Sequence, residues 1–211
     1  MGVKERRERE KSETRDKILD AARELFVTEG YEGVSMRRVA EKIEYSPTAI
    51  YIHFADKNEL FHELCHQDYA HLAEVFQSSA MSNDPVERLK QIGRTYIEFG
   101  VLHPNHYKFM FMTPHLPVEM NDEECGDKGN PEVDAYAFLK WAVQEAIRSG
   151  RLREELSDAE LVSQTLWAAV HGVTSLNIAK GTDPWVDWRP MQNRAELMLD
   201  VTLRGLLREV K

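Results

Sequence analysis

Apolar side chains recur at i, i+3, i+4, i+7 and i+8 in Ile18, Leu19, Ala22, Leu25 and Phe26, the stripe of an amphipathic helix. Thr14 stands where an N-cap would open that segment and Gly30 where a C′ residue would close it. The same period governs the later apolar stretches, and no run alternates as a half-buried strand does. The pattern predicts an all-α fold of about nine helices, a small three-helix domain followed by a larger helical one.

Capping and breaking residues place the elements. Ser35 caps a second helix over 36–43. Ser46-Pro47 starts a short third, 47–53, because the serine oxygen can accept a free amide and proline at N1 forfeits no hydrogen bond. Asp56, with Glu59 three residues on, forms a capping box for a fourth helix reaching Ser79. Asp84-Pro85 opens a fifth, ended at Leu102 by His103-Pro104, since proline disfavours helical geometry in the residue before it. A sixth covers 105–112 and a seventh 131–149, before Gly150. Ser157-Asp158-Ala159-Glu160 caps an eighth that stops at Gly181, and a ninth covers 188–209. Residues 113–130 lack periodicity and read as a loop able to act as a lid, and residues 1–12 as a disordered end.

Composition narrows the class. The chain has 211 residues, 42% hydrophobic and 30% charged, in the globular range. No stretch offers the uninterrupted apolar length of a transmembrane helix, and the charged start is unlike a secretory signal. Cys65 and Cys125 make no disulfide framework, so a reduced, cytoplasmic protein is expected. The net charge of −9 argues against indiscriminate binding to nucleic acid or anionic membrane. That excess is uneven: residues 1–60 carry 12 Lys/Arg against 13 Asp/Glu, residues 61–211 carry 15 against 23. A nucleic-acid site must therefore be local and near the amino end.

From Ser35 to Phe54 the spacing fits a helix-turn-helix. Ala40 is small where two helices approach, Val39 and Ile43 face inward, and Ile50 packs the second helix back onto the first. Thr48, Ala49, Tyr51 and Ile52 are left on a helix that can enter a major groove. Glu44 occupies a turn position where glycine is commoner.

Tyr51-Ile52-His53-Phe54-Ala55-Asp56-Lys57-Asn58-Glu59-Leu60 resembles the Tyr-x-His-Phe-x-x-Lys-x-x-Leu signature of TetR-type transcriptional regulators. The likeness extends upstream through Ile18–Phe26, Gly30-Tyr31, Val34–Ala40 and Ser46, covering roughly residues 14–66. Thr48 departs from the family, which usually has glycine there. Trp167-Ala168-Ala169-Val170-His171-Gly172 is similar to the Trp…His-Gly element of one TetR carboxyl-terminal subclass. The resemblance implies a homodimeric repressor released from operator DNA by a small molecule. It places DNA binding in residues 1–60 and ligand sensing with dimerisation in 61–211.

Residue chemistry fills in the DNA half. Tyr51 can donate to a phosphate, Lys57 sits near the backbone, and Ser35, Arg37 and Ser46 lie at helix starts whose amides favour phosphate. Thr48 and Ala49 offer methyl groups suited to thymine. His53 completes the candidate set, although with Phe54 it first reads as holding helices together. Dimerisation through the last two helices is expected from Thr165, Ala168, Gly172, Val173 and Leu176 on one, and Ala195, Met198, Leu199, Thr202 and Leu206 on the other. Phe99, His103, Tyr107, Phe111, Trp141, Trp167 and His171 are the candidate ligand residues. A largely apolar ligand suits them, or a cation held over aromatic faces.

Two other classes compete. His62-Glu63-Leu64-Cys65-His66 satisfies His-Glu-x-x-His, in which two histidines on one helix face chelate zinc and the glutamate acts as base. A ligand-binding scaffold that retains the three-helix unit without DNA binding is the other. No cofactor and no resident metal are expected, and His103, His106 and His115 read as surface and loop histidines.

Overall fold

The computed structural model describes residues 2–114 and 128–208. The described residues form nine helices: α1 (Val3–Gly33), α2 (Met36–Lys42), α3 (Pro47–Tyr51), α4 (Lys57–Ser79), α5 (Pro85–Leu102), α6 (Pro104–Phe111), α7 (Ala135–Arg148), α8 (Ala159–Lys180) and α9 (Met191–Leu206). Among them the only extended pairing is an isolated bridge between Leu152 and Leu207. The fold is all-α, as the periodicity predicts. Most of the expected loop over 113–130, and Cys125 and His115 with it, lies outside the described residues.

These residues fall into two compact units. The first holds the chain to Asp68 and residues 105–114; the second holds 69–104 and 128–208. In the first, Ile18, Ala22, Phe26, Val39, Ala40, Ile50 and Phe54 are almost wholly buried. The α6 residue Phe109 completes this core. Its ring lies 6.0 Å from that of Phe26 and 5.3 Å from that of Phe61.

The amino end differs from expectation. Residues 3–12 are helical rather than disordered, and Thr14 is not a cap: its hydroxyl donates back to the Glu10 carbonyl at 2.8 Å within α1. The alternating charges align as i,i+4 pairs, with Arg6–Glu10 at 2.7 Å and Arg9–Glu13 at 3.5 Å. Each such pair is worth only about 0.2–0.5 kcal/mol. They suffice because the helix grows outward from a packed segment and needs no new nucleus. Gly30 does break the helix as expected, with φ of 70°, a value open to glycine at no steric cost.

In the second unit α5 packs against α7, α8 and α9 around Ile92, Tyr96, Ala142, Val143, Val170 and Leu199. Gly93 allows α9 to come close: a β-carbon there would stand 2.5 Å from Leu199 Cδ2. Three helix starts shift from their expected places. Asp134, not Pro131, opens α7, its carboxylate accepting from the amides of Tyr136 and Ala137. Asp158, not Ser157, caps α8, and Pro190 delays α9 to Met191.

Candidate functional site

The helix-turn-helix is built as its capping residues dictate. Ser35 Oγ accepts from the Arg38 amide and Ser46 Oγ from the Ala49 amide, each at 3.3 Å. Between them Glu44 has φ of 60°, in the left-handed region that disfavours a side chain. The turn closes through the Tyr45 amide, 2.9 Å from the Ala40 carbonyl. Ile50 is fully buried, which turns Thr48, Tyr51 and Ile52 outward; Ile52 is 69% exposed. Ala49 is half-buried beside them.

The charged candidates already hold partners. Arg37 pairs with Glu41 at 2.9 Å on an exposed face. Lys57 is half-buried, its ammonium 3.0 Å from the Tyr31 carbonyl and 4.0 Å above the Tyr31 ring. Lys57 thus ties the start of α4 to the end of α1. His53 is half-buried, and its Nδ1 has no hydrogen-bond partner. Burial lowers its pKa, and the charges of Lys11 and Arg15 lower it further. Arg15 reaches this corner directly, donating to the His53 carbonyl at 3.2 Å, covering the Phe54 ring at 4.4 Å and pairing with Glu63 at 3.0 Å.

In the second unit the candidates divide. Trp167 donates its indole N–H to the Tyr96 hydroxyl at 3.1 Å, and that oxygen lies 3.2 Å from His171 Nδ1. Burial lowers the pKa of His171, so the ring is neutral at pH 7 and can accept the tyrosine proton. The Tyr136 ring lies tilted against that of Trp167 at 5.8 Å, and its hydroxyl donates to Glu160 at 2.5 Å. The phenol is pushed up to about 12 by burial and by that bond. The Glu160 carboxyl is held down at about 2 by hydrogen bonds from Lys140, Tyr136 and Gln164. The Phe99 and His103 rings lie tilted 5.3 Å apart, with His71 5.8 Å from both. Trp141 lies instead against Phe138 at 5.3 Å and beneath Arg88 at 4.8 Å. Tyr107 and Phe111 form a ring pair at 5.1 Å in the first unit.

Two family models match. Residues 18–64 fit the bacterial regulatory proteins of the tetR family, and residues 89–202 fit the tetracyclin repressor-like C-terminal domain. The chain belongs to the TetR family. An HTH-type transcriptional repressor AcnR of Corynebacterium efficiens is 40% identical over 153 residues, covering 65% of this chain and 79% of that protein. The HTH-type transcriptional regulator TtgR of Pseudomonas putida is 26% identical over 196 residues, with 86% and 92% covered. A TetR family transcription regulator from Marinobacter aquaeolei superposes with a TM-score of 0.75 at 17% identity, covering 97% of this chain and all (100%) of that one. At that identity the last comparison speaks for the fold alone.

Within this TetR-family chain the residues of the zinc-hydrolase reading have structural work. Glu63 is paired with Arg15 and accepts from Gln67 at 2.8 Å, and the Cys65 thiol is pushed up to about 12 by burial. Among the described residues no group of three His, Cys, Asp or Glu is placed to hold a metal ion. No described helix is long and apolar enough to cross a membrane.

Periodicity leaves Tyr136 and His71 outside the candidate set, whereas Tyr96 belongs to the aromatic concentration of this domain and shares the α5 face of Phe99 and His103 by its spacing. Part of the apolar face expected to pair two copies is used within the chain. Ala195, Leu199 and Leu206 are buried, while Leu197 and Val201 stand 65% and 62% exposed. On α8 the exposed line is Leu161, Thr165, Ala168 and Leu176, with Gly172 half-exposed within it. A cleft of about 490 Å³ opens between α5 and α9, lined by Ile97, Val101, Met191, Ala195 and the Arg94–Glu196 ion pair. Nothing in the pattern of side chains announced it.

Proposed function

We propose that this TetR-family regulator represses transcription by laying α3 in the major groove of an operator. Residues 1–60 do the binding, and residues 61–211 do the sensing and dimerisation. Thr48 and Ala49 meet base edges, Tyr51 donates to a phosphate, and Ser35, Arg37 and Ser46 lie where helix amides face the backbone. His53 and Lys57 act from behind, one under the end of α3 and the other through its bond to α1. The observation that carries the reading is α3 itself: it buries Ile50 and exposes Thr48 and Tyr51, with Ile52 exposed just past its end.

Two copies pair through the exposed faces of α8 and α9, which spaces two recognition helices about one turn of duplex, 34–36 Å, apart. Relatives named as transcriptional repressors support the reading as a repressor. The sensing residues are Trp167 and His171 with Tyr96, and Phe99 and His103 beside them on α5. Their aromatic surface with few polar handles suits a largely apolar small molecule. Its release of DNA requires only that it bind the non-docking state better; a tenfold effect needs about 1.4 kcal/mol of difference. The protein works in the cytoplasm, where its operator lies.

Selection from a random duplex pool tests the reading. The protein should enrich a palindrome and bind it far more tightly than a scrambled duplex. Equal binding to both would remove the operator from the account.

A further inference from the structure

α1 extends well beyond the core it serves. Between Lys4 and Lys17 it carries seven Lys/Arg against five Asp/Glu, in a chain whose net charge is −9. The helix sorts these charges by face. At 100° per residue, Lys4, Arg7, Lys11 and Arg15 fall within one stripe, while Arg6 and Arg9 fall on the opposite side. The two sides differ in chemistry. Arg6 and Arg9 are matched to Glu10 and Glu13, whereas Arg7 and Lys11 are exposed and enter no ion pair among the described residues. Lys4 keeps only a 4.0 Å approach to Glu8, with its side chain 89% exposed.

The stripe is rooted beside the recognition helix. Arg15, its inner member, is bonded to the His53 carbonyl just past the end of α3 and lies over Phe54. Lys11 is close enough for its charge to act on His53. From Arg15 the stripe runs outward for about 16 Å at 1.5 Å per residue, with side chains about 4.5–6 Å apart. Duplex DNA presents a phosphate about every 3.4 Å along each strand, so such a row can follow one strand for several steps.

We infer that the α1 extension is a second DNA-contacting element, its Lys4–Arg7–Lys11 stripe gripping the phosphates that flank the bases read by α3. The inference rests on the DNA-binding reading above and adds to it a contact without sequence preference. The stripe raises affinity and salt dependence and leaves the choice of sequence to α3.

Two charge-matched variants test it: Arg7→Gln/Lys11→Gln on the stripe, and Arg6→Gln/Arg9→Gln opposite. The probe is the duplex that the wild-type protein selects from a random pool, flanked on each side by ten fixed base pairs. The stripe variant should lower the slope of log K against log salt by about 3.6 for the dimer, since two contacts are lost in each copy and each phosphate contact contributes about 0.9. Its preference for the selected sequence over a scrambled one should stay at the wild-type ratio, and helicity by circular dichroism should be unchanged. The opposite-face variant should keep the wild-type slope. On a duplex trimmed to the selected bases the stripe variant should bind as wild type does. Equal slopes for both variants, or a stripe variant with the wild-type slope, would overturn the inference and leave α3 docking intact. A wild-type protein that selects no sequence overturns the docking itself, and the inference with it.

Discussion

Asp68 accepts both Arg23 Nε and Nη2 at 2.9 Å, and the two side chains are 2% and 5% exposed. His106 Nδ1 stands 2.9 Å from the same carboxylate, so α1, α4 and α6 meet at one buried charge. Burial pushes the Asp68 carboxyl up, but the bonds from His106 and Arg23 outweigh it and leave the group below its ordinary range. A depressed carboxylate contributes stability that is complete above the unfolded value, near pH 4, and is lost as pH falls through the folded one. Asp68→Ala strands Arg23 and should cost about 3–5 kcal/mol in urea unfolding at pH 7. The difference from wild type should shrink on acidification below pH 4; a constant gap would place the effect in packing instead.

Tyr51→Ala should weaken operator binding steeply while circular dichroism stays unchanged, because 54% of the Tyr51 surface is exposed and its loss leaves no cavity. Lys57→Ala should weaken binding too, by loosening the α1 contact behind α3, with the salt slope close to that of wild type. It should in addition lower stability, since Lys57 holds the Tyr31 carbonyl and ring. Wild-type affinity in both variants, measured by fluorescence anisotropy, refutes the docking.

Ala168→Glu places a carboxylate at the middle of the exposed α8 line. Light scattering should then show a monomer, and tight operator binding should disappear with the dimer. A monomeric wild-type protein at micromolar concentration would sink this assembly outright.

The Trp167–Tyr96–His171 chain makes the sensing cluster visible by fluorescence. A compound that lowers operator affinity should change Trp167 emission, and Trp167→Ala should weaken induction while sparing DNA binding. Because the folded value of His171 is depressed, its contribution is complete above the unfolded value, about 6.5, and declines as pH falls below it. Trp167 emission should titrate in that acid range and cease to do so in His171→Gln. An inducer that leaves emission unmoved places the ligand elsewhere, with the α5–α9 cleft the next site to probe.

Glu44→Gly removes a side chain from a left-handed residue, a conformation costing roughly 1–2 kcal/mol for most side chains. Part of that gain is cancelled by the freer unfolded chain. Thermal unfolding should show equal or higher stability, by up to about 1 kcal/mol. A clear loss would mean that the Glu44 side chain itself stabilises the turn.

What was legible in the chain tracks how local its cause is. Ser35, Ser46, Asp84 and Gly30 act on their own helices, and each ends or begins one where its chemistry demands. The α1 extension is not legible in the chain because alternating charge reads as solvation until the four-residue spacing is laid on a helix. The α9 face is hidden for a different reason. Ala195 and Leu199 on one side and Leu197 and Val201 on the other are equally apolar, and only the docking of α5 decides which is covered. The polar chain through Tyr96 joins residues 71 and 75 positions apart, a distance no local pattern spans.

Phe109 has a consequence for engineering. A reader head cut out at residue 60 would leave behind Phe61, Leu64 and Phe109, three buried side chains that pack its floor. The exposed undersides of Phe26 and Leu60 would then face water, inviting aggregation. This recognition module is therefore not a portable cassette: grafting it onto another sensor requires carrying the α6 segment along, or repacking the hole with new aromatic surface.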